Sequence, residues 1–157
     1  MKSNNIGLAK KDLNKSIKNL TEVLSNEMVL YVKLRKFHWN VSGNSFMELH
    51  KLFEDQYHAI EKIIDEVAER IGKLGSKSIG TMGEFIEHAT LKESTEYEPQ
   101  DKMLAELLND HEKIIISIRE MVTKMEEDSE DVGTVDFLTA LILSHESKAW
   151  ILRRYIA

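Results

Sequence analysis

Imidazole and carboxylate side chains recur at helical spacing between His38 and Arg70, in a pattern suited to holding a metal ion. His50 and Glu54 are four residues apart, as are Asp65 and Glu69, so on a helix each pair shares a face one turn apart and can ligate a common ion. The two pairs are fifteen residues apart, roughly 22 Å along a helix axis, too far for one ion to touch both. Each pair is therefore half a site. Two copies of the helix packed antiparallel about a two-fold axis near Ala59 and Ile60 would set residue 50 of one against residue 69 of the other, and 54 against 65. Both halves are then completed at once, because a two-fold interface is self-complementary. The small Ala59 permits close approach there. The spacing thus predicts two identical metal sites per pair of chains, and leaves open the plainer alternative of a solvated surface that is merely acidic.

The element that must carry these residues is a helix over residues 45–74. Phe46, Leu49, Phe53, Tyr57, Ile60, Ile64, Val67, Ile71 and Leu74 recur at alternating steps of three and four, the apolar stripe of an amphipathic helix. Beside it runs a second line without lysine: His50, Glu54, His58, Glu61, Asp65 and Glu69. Lys51, Asp55, Lys62, Glu66 and Lys73 mix both signs on the far side, as a solvated face does. Ser45-Phe46-Met47-Glu48 has the form of a capping box that starts the helix, and Gly72 and Gly75 mark its end.

Composition bounds the rest. A chain of 157 residues, 42% hydrophobic and 31% charged, suits one globular domain with a sizeable core. One proline and seven glycines allow long helices and argue against a β-sandwich. The lack of cysteine removes disulfides, thiolate zinc sites and cysteine nucleophiles, and fits a reducing cytoplasm. No window is apolar enough for a membrane span and the start has no signal-like core. A net charge of −6 attracts cations and repels nucleic acid.

Residues 1–9 read as a flexible arm and residues 10–157 as one domain. Lys2, Lys10, Lys11, Lys15 and Lys18 make the start locally basic, which reads as an ordinary solvated helix start in preference to a DNA-contacting tail. A first helix is expected from about Lys10 to Trp39, with Leu13, Ile17, Leu20, Leu24, Met28 and Tyr31 inward. Its stripe, continued by seven residues, reaches His38, and the turn Ser42-Gly43-Asn44 returns the chain toward His50, so the two histidines can approach one place. After a long crossover, in which Thr81-Met82-Gly83-Glu84 caps a short helix through about His88, Pro99 opens a third long helix. Its inward row is Leu104, Leu108, His111, Ile115, Ile118, Val122 and Met125. The acidic run Glu126 to Asp131 is expected to form a loop. Gly133-Thr134 then begins a fourth helix with Leu138, Leu141, His145, Ala149, Leu152 and Ile156 inward. The pattern predicts an all-α fold, a ferritin-like four-helix bundle with a short extra helix in the crossover between the second and third helices.

His111 and His145 compete as a site within the bundle, but Glu112 and Glu146 lie about 100° away from them and point elsewhere. The two histidines therefore read as satisfied core or interface residues. Glu-x-x-His, the motif of bundle-interior di-iron sites, occurs nowhere in the chain, and His88 reads as exposed.

With these residues in view, the chain resembles the Dps mini-ferritins over essentially its whole length from Leu8. The resemblance rests on His38-Trp39-Asn40-Val41-x-Gly43-x-x-Phe46, on His50, on Asp65-Glu66-x-Ala68-Glu69-Arg70, and on Thr134-x-Asp136-x-Leu138 leading to His145-Glu146-x-x-x-Trp150. It implies a hollow homododecamer with ferroxidase centres at two-fold interfaces. By position the ligands would be His38 and His50 from one subunit with Asp65 and Glu69 from its partner, and Glu54 would serve a second iron position where many members have aspartate. Trp39 would stand beside the centre. Asp136, with Glu127 or Asp128, would line the pores that admit iron. The implied activity is oxidation of Fe²⁺, typically by hydrogen peroxide, with ferric mineral stored in the cavity against oxidative stress. Imidazole tolerates Fe²⁺ and carboxylate stabilises Fe³⁺, though the same ligands accept zinc and other divalent metals. A DNA-binding, nucleoid-protecting cage with little iron oxidation is the alternative. The short arm and acidic body predict weak DNA binding or none.

Overall fold

Residues 4–157 are described by a computed structural model. The apolar rows become five helices: α1 (Lys10–Asn40), α2 (Phe46–Lys73), α3 (Met82–His88), α4 (Gln100–Asp128) and α5 (Val132–Ile156), with no strand among the described residues. The architecture is the expected all-α four-helix bundle, with α3 in the crossover. Short connections make antiparallel neighbours: α1 lies along α2 and α4 along α5, while α3 rests on α1. Among the described residues no helix is long and apolar enough to cross a membrane. Residues 1–3 of the expected arm, Lys2 among them, lie outside the described residues. Asn4 already holds the end of α2 through a 2.8 Å bond from its Nδ2 to the Lys73 carbonyl.

The core differs most from the expected rows on α1, and at single positions on the other long helices. On α1 the innermost line is Ser16, Leu20, Val23, Glu27, Leu30, Leu34 and Phe37, each 2% exposed or less, while Leu13, Ile17, Met28 and Tyr31 only flank it. The helix is rotated toward a line that contains a serine and a glutamate, which broke the apolar pattern. On α2, Leu49, Phe53, Tyr57, Ile60, Val67, Ile71 and Leu74 are buried as expected, whereas Phe46 is exposed at the first turn and Ile64 is half-buried. Leu108 and Val122 of α4 are half-buried, and Ile156 is exposed in the last turn of α5.

The two capping boxes part company. Thr81 is extended (φ −107°, ψ 150°), and its hydroxyl accepts from the Glu84 amide while the Glu84 carboxylate accepts from the Thr81 amide. Ser45 forms no side-chain cap: at φ −102° and ψ 27° it continues the turn from Gly43, whose positive φ of 113° reverses the chain. A capping side chain typically reaches over the helix end from an extended backbone, which Thr81 has and Ser45 lacks. The acidic run also departs from expectation. α4 runs on through Asp128, where Lys15 pairs with Asp128 and bonds the Lys124 carbonyl, leaving residues 129–131 as the connection.

Candidate metal centre

His38 lies in the last turn of α1 and His50 one turn into α2, so the tight connection brings them face to face. Their rings stack with centroids 3.8 Å apart and planes 20° off parallel. Each Nδ1 donates to the other residue's backbone carbonyl at 2.8 Å. A carbonyl only accepts, so both Nδ1 atoms carry hydrogen, and in the neutral rings both Nε2 lone pairs are left free. Metal-binding histidines are held by this device, the second nitrogen being fixed by a backbone carbonyl or carboxylate. Tyr57 meets His38 edge-on at 5.3 Å and Phe46 leans on His50 at 5.2 Å, closing the flanks. The Arg35 guanidinium lies 4.4 Å from the Tyr57 ring and 5.3 Å from that of Trp39, which is itself 66% exposed beside His38.

The carboxylates stand farther along α2. Glu54 is half-buried one turn beyond His50, with Lys51 at 3.4 Å. Asp65 and Glu69 are exposed, Glu69 facing Lys73 at 3.2 Å. Both lie on the same continuous helix as His50, so at about 1.5 Å per residue Asp65 is roughly 22 Å and Glu69 roughly 28 Å along the axis from it. Among the described residues no three His, Asp or Glu side chains of this chain group to hold an ion. The fold unites His38 with His50 and leaves Asp65 and Glu69 at the other end of the same face. Asp136 is exposed in the first turns of α5, and Glu127 and Asp128 are exposed at the end of α4, all close to the 129–131 connection.

Glu112 and Glu146 turn outward to Arg153 and Arg119, as their angular offset predicts. The partner that His111 and His145 do have was invisible to the sequence: Glu27, on α1. His145 Nε2 donates to Glu27 Oε1 at 2.7 Å, His145 Nδ1 meets His111 Nδ1 at 2.8 Å, and all three residues are fully buried. Burial, then the neighbouring His145 and Lys148, holds the His111 imidazole well below its ordinary pKa, so it stays neutral. Glu27 falls at the helical step from Leu20, Val23 and Leu30, the one signal that could have revealed it. Asp131, read as loop, is a buried N-cap of α5 that accepts from Ser16, Thr134 and Arg70. Burial alone would raise its carboxyl, but the bonds from Ser16 and Thr134 and the Arg70 charge outweigh it and hold the group below the usual range.

Residues 17–157 match the family described as ferritin-like domain. The chain is 40% identical over 153 residues to a low temperature-induced protein of Nostoc sp., covering 97% of this chain and 86% of that one. It is 33% identical over 143 residues to DNA protection during starvation protein 2 of Bacillus anthracis, covering 88% and 97%. Among solved structures, a Dps protein of Vibrio cholerae O1, described as a member of a broad superfamily of ferritin-like diiron-carboxylate proteins, aligns with a TM-score of 0.92 at 29% identity, covering 100% and 98%. A Dps protein of Bacillus brevis aligns at 0.90 and 31%, covering 95% and 99%.

Proposed function

The chain belongs to the ferritin-like family, among its Dps members, and on that premise we propose that it is a ferroxidase whose substrate Fe²⁺ is bound between two chains. His38 and His50 of one chain and Asp65 and Glu69 of a reversed second chain form each centre, with Glu54 reaching a second iron position. The reading is carried by one observation above all: two imidazoles locked by each other's carbonyls, with both Nε2 atoms free and, among the described residues, no group of three ligands within the chain to complete the set. Neutral imidazole with carboxylate is a donor set that accepts Fe²⁺ and favours Fe³⁺ once formed.

In the reaction two Fe²⁺ ions give one electron each to one hydrogen peroxide, whose O–O bond breaks, and two protons complete two waters. The protein's part is to bind, orient and supply charge: Asp65 and Glu69 offset the extra charge of the oxidised ion, while Trp39 and Tyr57 border the centre. Twelve chains enclosing a cavity would store the ferric product, and Asp136 with Glu127 would draw cations inward. Asp128 is already held by Lys15 and contributes less. Zinc, manganese or cobalt would occupy the same ligands. The protection of DNA in its relatives' names would then be chemical here, through removal of both reactants of hydroxyl-radical formation, with little or no DNA bound.

The test is complementation. His50→Ala and Asp65→Ala should each consume almost no peroxide with Fe²⁺. Co-assembled one to one, half of random pairs are mixed and each mixed pair rebuilds one of its two sites, so about a quarter of wild-type consumption should return. No recovery in verified mixed assemblies would overturn the shared centre.

A further inference from the structure

The antiparallel arrangement that joins residue 50 to 69 and 54 to 65 also brings residue 58 to 61, because each pair is centred on the same point between Ala59 and Ile60. His58 and Glu61 lie symmetrically about that centre, each the next residue beyond Ala59 or Ile60, so the two-fold axis itself passes among both copies of both side chains. From this juxtaposition we infer a third site on the same seam: one divalent first-row transition-metal ion on the two-fold axis, held by His58 and Glu61 and by the partner's His58 and the partner's Glu61. The inference rests on the shared-interface reading above.

The single chain is already arranged for it. His58 Nδ1 and Glu61 Oε2 are 3.4 Å apart with both side chains about three-fifths exposed, at 59% and 60%. That is longer than the common hydrogen-bond distance of about 2.9 Å. It matches the separation of roughly 3.3 Å between two ligands of one tetrahedral ion with bonds near 2.05 Å. The Tyr57 ring, itself buried, lies 4.5 Å from the His58 ring and supports it from below. The nearest cation along the helix, Lys62, reaches toward Glu66 at 3.7 Å and away from Glu61. Neither His58 nor Glu61 has any other ion-pair partner among the described residues. Two imidazoles and two carboxylates make a neutral tetrahedral set for a 2+ ion, whose softness suits Fe²⁺, Co²⁺ or Zn²⁺ rather than Mg²⁺. The ion would stand about 11 Å from each oxidation centre and tie the two chains together.

Position on a two-fold axis fixes the stoichiometry at one ion per two chains, which no site within one chain shares. Co²⁺ is the probe, counted per chain after equilibrium dialysis of the assembled protein. His58→Gln and Glu61→Gln should each lower the count by half an ion per chain, and the His50→Ala/Asp65→Ala double variant should keep that half ion while losing others. A loss of one whole ion per chain would show a local pair on one helix and overturn the axial site, as would no loss in either variant. If the His58 and Glu61 variants lose nothing while the double variant does, the axial site falls and the shared ferroxidase centre stands. If none of the variants loses ions, both fall.

Discussion

His111 Nε2 and Glu27 Oε2 have no hydrogen-bond partner although both are sealed in the bundle, an arrangement that costs stability wherever a proton is added. The groups facing His111 are His145 and, less directly, Lys148, with Glu27 beyond His145. A base whose folded pKa is depressed takes up its proton more readily when unfolded. Its contribution is therefore intact above the unfolded value near pH 6.5 and is lost as pH falls below it. Urea unfolding should show stability falling by up to about 1.4 kcal/mol per pH unit below pH 6.5 from this residue. His111→Leu should flatten that slope. An unchanged slope would mean that His111 is not the group responsible. The reciprocal bonds of His38 and His50 use the Nδ1 of each ring and leave both Nε2 atoms unbonded, which suits a metal.

At the scale of the element, the caps decide where helices begin. Thr81→Ala removes the hydroxyl that closes the box on Glu84 and should cost about 1 kcal/mol, read as faster amide exchange in α3 with little change elsewhere. Asp131→Ala should cost more, roughly 2 to 4 kcal/mol, because Ser16, Thr134 and Arg70 all lose a buried charged acceptor. Thermal unfolding checks it. The boundaries of α3 were legible in its capping box and the extent of α2 in its apolar periodicity, although the Ser45 cap does not form, while the start of α5 at the Asp131 cap was missed. The rotation of α1 was not legible, because its inward line includes Ser16 and Glu27, whose partners Asp131 and His145 are more than a hundred residues away in sequence. A buried polar residue is recognisable only once the group that satisfies it is known.

For the whole molecule, charge and assembly govern behaviour. At −6 per chain, an assembly of many chains repels phosphate, and no retarded DNA band should appear at about 150 mM salt, where electrostatic binding is already weakened. A retarded band there would reinstate the DNA-binding cage. Asp136→Asn should slow initial iron oxidation several-fold at low ionic strength and much less at high, since steering by charge is screened by salt. Equal slowing at both would place Asp136 outside any entry path.

The sequence by itself determined the period of its helices, the short connection that joins His38 to His50, and the fifteen-residue gap that keeps the Asp65–Glu69 pair away from the His50–Glu54 pair. All of these are local or follow from helix geometry. Only the tertiary structure decided that the two imidazoles lock each other through their carbonyls, that Glu27 lies inward to meet His145, and that Asp131 is a buried cap. Such features depend on which groups meet across the bundle after the helices have packed, and spacing along one chain carries no record of that meeting.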